Sequence, residues 1–193
     1  MSTTASPMVR KTTFFLFLVF LIFFPRLSPY VAHQGAWHSW TEWVFGLYHF
    51  VANQTLGIVH EAGHGVCYLL PCPKTLMVAN GTMFQIGFPM LVGWYYRKRG
   101  NRLADAIAQF FVGFSLQYTA WYISTAHEGL YLPASKSFLG VDGYHDFAYL
   151  LGAIGWVPYD GILSAVVKVL AYGVMLWAVG RMYLMAFFEN DAD

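Results

Sequence analysis

Residues 56–70 read LGIVHEAGHGVCYLL, and they set His60, Glu61 and His64 inside a run otherwise apolar enough to lie in lipid. Ionisable side chains are expensive within a bilayer and normally face a bundle interior or a water-filled cavity. Placed on a helix at about 100° per residue, His49, Asn53, Gly57, His60, His64 and Cys67 fall within an arc of roughly 80°. The opposite side carries Val51, Ala52, Thr55, Ile58, Val59, Ala62, Val66 and Leu69. One face suits lipid or apolar neighbours; the other is small, polar and able to bind metal.

Within the polar stripe, His60-Glu61-Ala62-Gly63-His64 is an H-E-x-x-H pattern. Residues at i and i+4 lie one turn apart on the same face, so two imidazoles can converge on one zinc ion. Glu61 is rotated about 100° from His60, which sets its carboxylate beside the ion and not on it. There it can take a proton from the attacking water and pass it to a leaving amine. The competing reading is a pair of interior histidines hydrogen-bonding across the bundle. The triplet within an unbroken membrane helix with a polar face favours metal.

Working outward, the chain of 193 residues is 58% hydrophobic, with 11% charged residues. That charge content is well under the roughly 25% of a soluble domain. Apolar segments recur at about 13–30, 43–70, 83–97, 103–126, 146–157 and 161–188. The expectation is an all-α, polytopic transmembrane bundle with five to six membrane segments. It forms a single domain over 1–193: an uncleaved anchor helix in 1–35, a catalytic core in 43–157 and a C-terminal membrane helix in 161–188. The fifth segment, HDFAYLLGAIGW, would rise only about 18 Å as a helix, so it can enter the membrane without crossing it.

A net charge of +1 gives no electrostatic case for a nucleic-acid partner. The bilayer and a membrane-protein substrate are the expected partners. Cys67 and Cys72 match no metal knuckle and make no disulfide framework, so they leave the redox compartment open. If all six segments cross, Arg26, Arg97, Lys98, Arg99 and Arg102 fall on one side. Arg10, Lys11, Lys74, Lys136 and Arg181 fall on the other, with Lys168 inside the last helix. That balance gives the positive-inside rule nothing to decide with.

A catalytic zinc needs a third protein ligand and an open position. His127 and Glu128 follow the fourth segment, and GVDGYHDFAYLLG supplies Asp142, His145 and Asp146. The second cluster abuts the fifth segment and can reach back into the bundle, with Asp146 the first choice and His145 or Asp142 as alternatives. Asp146 could equally be a plain helix N-cap, and Asp142-Gly143 an ordinary turn. Asn80 and Gln85 are candidates for holding an extended substrate backbone, or else for joining membrane helices.

HEAGH inside a membrane helix resembles the site-2 protease (M50) class of intramembrane zinc metallopeptidases. More narrowly, HEAGH, NGTMFQIGFPML, GFSLQYTAWYISTA and HDF together are similar to small bacterial M50-like membrane proteins. The resemblance covers about residues 57–157. It implies His60 and His64 as zinc ligands, Glu61 as general acid/base, His145-Asp146 as the downstream pair, and a bacterial inner membrane as location. Val141-Asp142-Gly143 echoes the aspartate motif that supplies the third ligand in the site-2 class. Two positions depart from the pattern: the second glycine of a Gly-Gly pair is Asn80 or absent, depending on the alignment, and Phe147 stands where tryptophan follows His-Asp. The expected function is hydrolysis of a peptide bond in or near a membrane-spanning substrate. The alternatives are a membrane metal-binding or transport protein, and a catalytically inactive M50-like regulator.

Overall fold

Local signals set most helix ends. Ser6 accepts a hydrogen bond from the Val9 amide with proline at the first helical position, and starts helix α1, Pro7–Leu27. Helix α2 is Trp40–Leu69, and Pro73 opens α3, Lys74–Lys98. Gly100 turns at φ 75°, a conformation that costs glycine little, and the Asn101 side chain caps the Ala104 amide. Helix α4 follows as Arg102–Ile123. A two-residue antiparallel ladder, β1 Tyr131–Leu132 with β2 Gly143–Tyr144, leads into α5, Asp146–Ala153, and then α6, Asp160–Phe187. These elements come from a computed structural model that describes residues 5–30, 40–132 and 143–188. Asp142, Lys136 and their neighbours lie outside those residues.

The bundle is built around α4, which is buried along most of its length. It packs antiparallel to α6: Asp105 pairs with Arg181, Gly113 meets Met175, and Ser164 donates to the Ala120 carbonyl. A Cβ at Gly113 would stand 2.6 Å from Met175 Cγ and 2.8 Å from the Ala171 carbonyl, so the close crossing requires glycine. Helix α1 lies antiparallel on α6, with Phe14 against Tyr183 and Phe24 against Tyr172. Phe24, Phe110, Tyr118, Met175 and Met182 form the heart of the apolar core. At one end, buried Asp105 binds both Arg97 and Arg181 and ties α3, α4 and α6 together.

The fold is all-α apart from the short ladder, as expected, but fewer helices qualify as membrane spans. Among the described residues, three helical stretches, Pro7–Leu27, Lys74–Lys98 and Val157–Phe187, are long and apolar enough to cross a membrane, against the five to six anticipated. Helices α2 and α4 have the length, at 30 and 22 residues. Their inward faces carry polar residues such as His49, His60, Asp105 and Gln117, which dilute their apolar character. Helix α5 has only eight residues, a rise of about 12 Å, and cannot cross. Large apolar side chains point outward from the three spans, among them Leu16, Leu91 and Val169. Such broad apolar exposure is compatible with a lipid surround.

The third helix begins at Lys74, well before the expected 83. Asn80, Gly81 and Thr82 read as polar interruptions in the sequence, yet the helix continues through them, with Asn80 and Gly81 facing α2.

Candidate metal centre

Helices α2 and α3 pack antiparallel, and the close approach is made by two glycines. A Cβ on Gly63 would collide with the Asn80 carbonyl, and Asn80 Nδ2 donates to the Gly63 carbonyl. The α2 stripe faces inward as its periodicity predicts. His49, Gly57, His60 and Cys67 are buried and Asn53 and His64 half-buried, while Val51, Thr55, Ile58, Ala62 and Leu69 on the other side are exposed; Ala52, also on that side, is buried.

Asp146, at the first turn of α5, enters from the far side. Its Oδ2 lies 2.8 Å from His60 Nε2 and 3.2 Å from His64 Nε2, and the donor atoms of all three residues lie within 4.8 Å of one another. His60 and Asp146 are buried, and His64 is half-buried. Asp146 is held there through its backbone: its amide donates to the Tyr122 hydroxyl, which donates to the Tyr144 carbonyl. It does not cap the helix; the capping position belongs to His145.

The two imidazoles are fixed from behind. His64 Nδ1 donates to the Met77 carbonyl at 2.8 Å, which obliges that nitrogen to carry the proton. His60 Nδ1 donates to Gln85 Oε1 at 3.2 Å, and Gln85 Nε2 is directed at the Ser115 carbonyl. Both Nε2 lone pairs therefore point at a carboxylate oxygen. Three acceptors meeting in a buried space repel one another unless a proton or a cation sits among them. Two imidazoles and a carboxylate are a hydrolytic zinc donor set, and tetrahedral donors at zinc distances lie about 3.3 Å apart. Gly81 leaves the room: a Cβ there would stand 2.6 Å from Nε2 of both histidines. The residues fit a zinc ion.

Of the alternatives for a third ligand, His145 is turned away. Its ring stacks on Tyr122 at 4.5 Å and its Nε2 donates to the Thr125 hydroxyl, whose own proton goes to the Tyr122 carbonyl. Burial pulls the His145 imidazole below its ordinary pKa, consistent with a neutral wall residue. Asp142 lies outside the described residues. His127 is engaged elsewhere, with its Nδ1 2.6 Å from Asp160 and its backbone amide on the same carboxylate. Glu128, its neighbour in the short 3-10 turn Ala126–Glu128, is exposed. Glu61 is exposed beside the triad, within electrostatic reach of His64 and Tyr122.

Asn80 and Gln85 both have internal partners, as the helix-joining alternative expects. Asn80 joins α2 to α3, and Gln85 orients His60. Sequence reasoning also missed the disulfide between Cys67 and Cys72, which closes the end of α2 onto the turn before α3. The helix-ending Pro71 and Pro73 around Cys72 were the available signal.

An outer partner of a ligating histidine is worth about 10- to 100-fold in metal affinity. Gln85→Leu should weaken zinc binding by that amount in a competition titration, and Gln85→Glu, which keeps an acceptor, should retain it.

A second feature adjoins the centre. A largely apolar cavity of about 650 Å³ lies between α2, α3 and α4, lined by Leu56, Phe88, Val92, Phe111 and others. Gln85 and Ser115 form part of its wall, so the residue that orients His60 also borders the cavity. Comparison with protein-family models, curated proteins and solved structures finds no match to this chain.

Proposed function

We propose that the protein is a multi-pass zinc metallopeptidase of a bacterial inner membrane, similar in chemistry to the site-2 protease class. It cuts a peptide bond in or next to a membrane-spanning substrate. One observation carries the reading: His60, His64 and Asp146 converge while both histidines have their Nδ1 protons committed to oxygen acceptors.

Zinc held by these donors would polarise a carbonyl and make water acidic near neutral pH. The chain's own residues do the rest. Gln85 and the Met77 carbonyl keep both Nε2 atoms unprotonated and aimed inward. Tyr122 holds the backbone that presents Asp146. Glu61, beside the triad, accepts the proton of the attacking water on its carboxylate and delivers it to the leaving amine. The cavity receives the apolar part of the substrate, which reaches the centre past Gln85. A helical substrate must unwind locally, because its carbonyls are otherwise hydrogen-bonded and shielded.

The test uses purified full-length protein in detergent with a peptide spanning a membrane segment. The expected result is one zinc per chain, cleavage abolished by a chelator, and cleavage restored by added zinc. Zinc absent from protein purified under zinc-replete conditions sinks the proposal, and so does cleavage indifferent to the chelator.

A further inference from the structure

We infer that the metal centre lies at the exoplasmic end of the bundle, so that the bond cut lies at the exoplasmic end of the substrate's membrane segment. The position of the cut rests on the peptidase reading above; the orientation does not.

Two independent features of the fold set the orientation. The first is the disulfide. Cys67–Cys72 sits in the turn that joins α2 to α3, and structural disulfides persist on the oxidising side of a membrane. The second is charge. Helix α1 packs antiparallel to α6, which returns Arg10 and Lys11 to the end of the bundle that holds the α3–α4 turn; Lys11 stands over Phe187. Because α5 does not cross, the last turns of α6 reach the same end, where Arg181 meets Asp105 beside Arg97. Arg10, Lys11, Arg97, Lys98, Arg99, Arg102 and Arg181 therefore share one end. Arg26, Lys74 and Lys168 are the described cations toward the other, Lys168 over Tyr30 and Lys74 over Tyr149. The even split expected when every segment crosses becomes a strong bias, and the rich end is cytoplasmic by the positive-inside rule. The disulfide is at the opposite end, so both features agree.

The centre lies close to the disulfide end. His64 is one turn from Cys67, and Tyr122, which holds Asp146, is the last residue but one of α4. Gly81, between the two imidazoles, is about 10 Å along α3 from Lys74 but about 26 Å from Lys98. The cavity extends from Gln85 the other way, toward Tyr96 and Asn101 at the cytoplasmic end. A substrate segment filling it would lie on the cytoplasmic side of the zinc ligands and present its exoplasmic end to them.

Two exposed, neutral positions at the ends of α6 report the orientation, Tyr159→Cys and Phe188→Cys, each in the full chain with its native disulfide. Spheroplasts are treated with a membrane-impermeant maleimide before and after lysis. Tyr159→Cys should react in intact spheroplasts as fully as after lysis, and Phe188→Cys only after lysis. Cys67 and Cys72 should react in intact spheroplasts only after reduction with an impermeant reductant. The reverse pattern, equal labelling at both ends, or native cysteines that react without reductant overturns the orientation. Mass mapping of products from a membrane-spanning substrate of known orientation should then place the cut in its exoplasmic half, and a cut in the cytoplasmic half overturns the placement. Expected labelling in a protein that binds no zinc leaves the orientation supported and removes the peptidase reading alone.

Discussion

Glu61→Gln should leave one zinc per chain and lower cleavage of a membrane-spanning substrate by about 10²- to 10⁴-fold, the usual contribution of a positioned general acid–base. The substitution preserves shape and, on the proposed mechanism, removes only the ability to hold a proton between water and the leaving amine. Glu61 is exposed and is not one of the three converging donors, so neither metal affinity nor folding should change appreciably. The measurements are zinc content by elemental analysis and initial cleavage rate on the same preparation. Undiminished cleavage would take Glu61 out of the mechanism, whereas loss of zinc would show it to be a ligand or a structural support. A membrane metal carrier, by contrast, would show no dependence on this carboxylate as a base.

Asp146→Ala should have the opposite signature: zinc falls from one per chain to near none, and cleavage falls with it. The carboxylate is the only oxygen donor in the triad and the point where α5 meets α2. Its removal also relieves the crowding of three acceptors, so the metal-free bundle should persist. Thermal unfolding in detergent separates the two effects. A ligand at about 100 times its Kd stabilises the native state by about 2.7 kcal/mol, so a chelator should lower the melting temperature of the natural protein. It should leave that of Asp146→Ala unchanged. Full zinc occupancy in Asp146→Ala would transfer the third-ligand role to another side chain.

Helical periodicity is a local property, and the sequence was enough to read what depends on it. The H-E-x-x-H spacing sets two imidazoles on one face of α2, and the small, polar stripe from His49 to Cys67 shows which way that face turns. The all-α class likewise follows from long apolar runs, whose buried backbone polar groups a helix satisfies within the segment. Segment counting was less secure, because polar residues on α2, α3 and α4 resemble interruptions until a neighbouring helix supplies their partners. Asn80 and Gln85 are examples: an amide free to hold substrate and an amide joining helices are the same letters.

Tertiary structure alone decided the rest. His60 and Asp146 are 86 residues apart, and nothing local shows whether Asp146 or the adjacent His145 faces the imidazoles. That choice is made by Tyr122 and Thr125 on and just after α4, which hold the Asp146 amide and claim the His145 ring. The gathering of seven cations at one end depends on α1 and α6 running antiparallel and on α5 stopping short. Charge along a chain is a list, and only packing turns it into a direction.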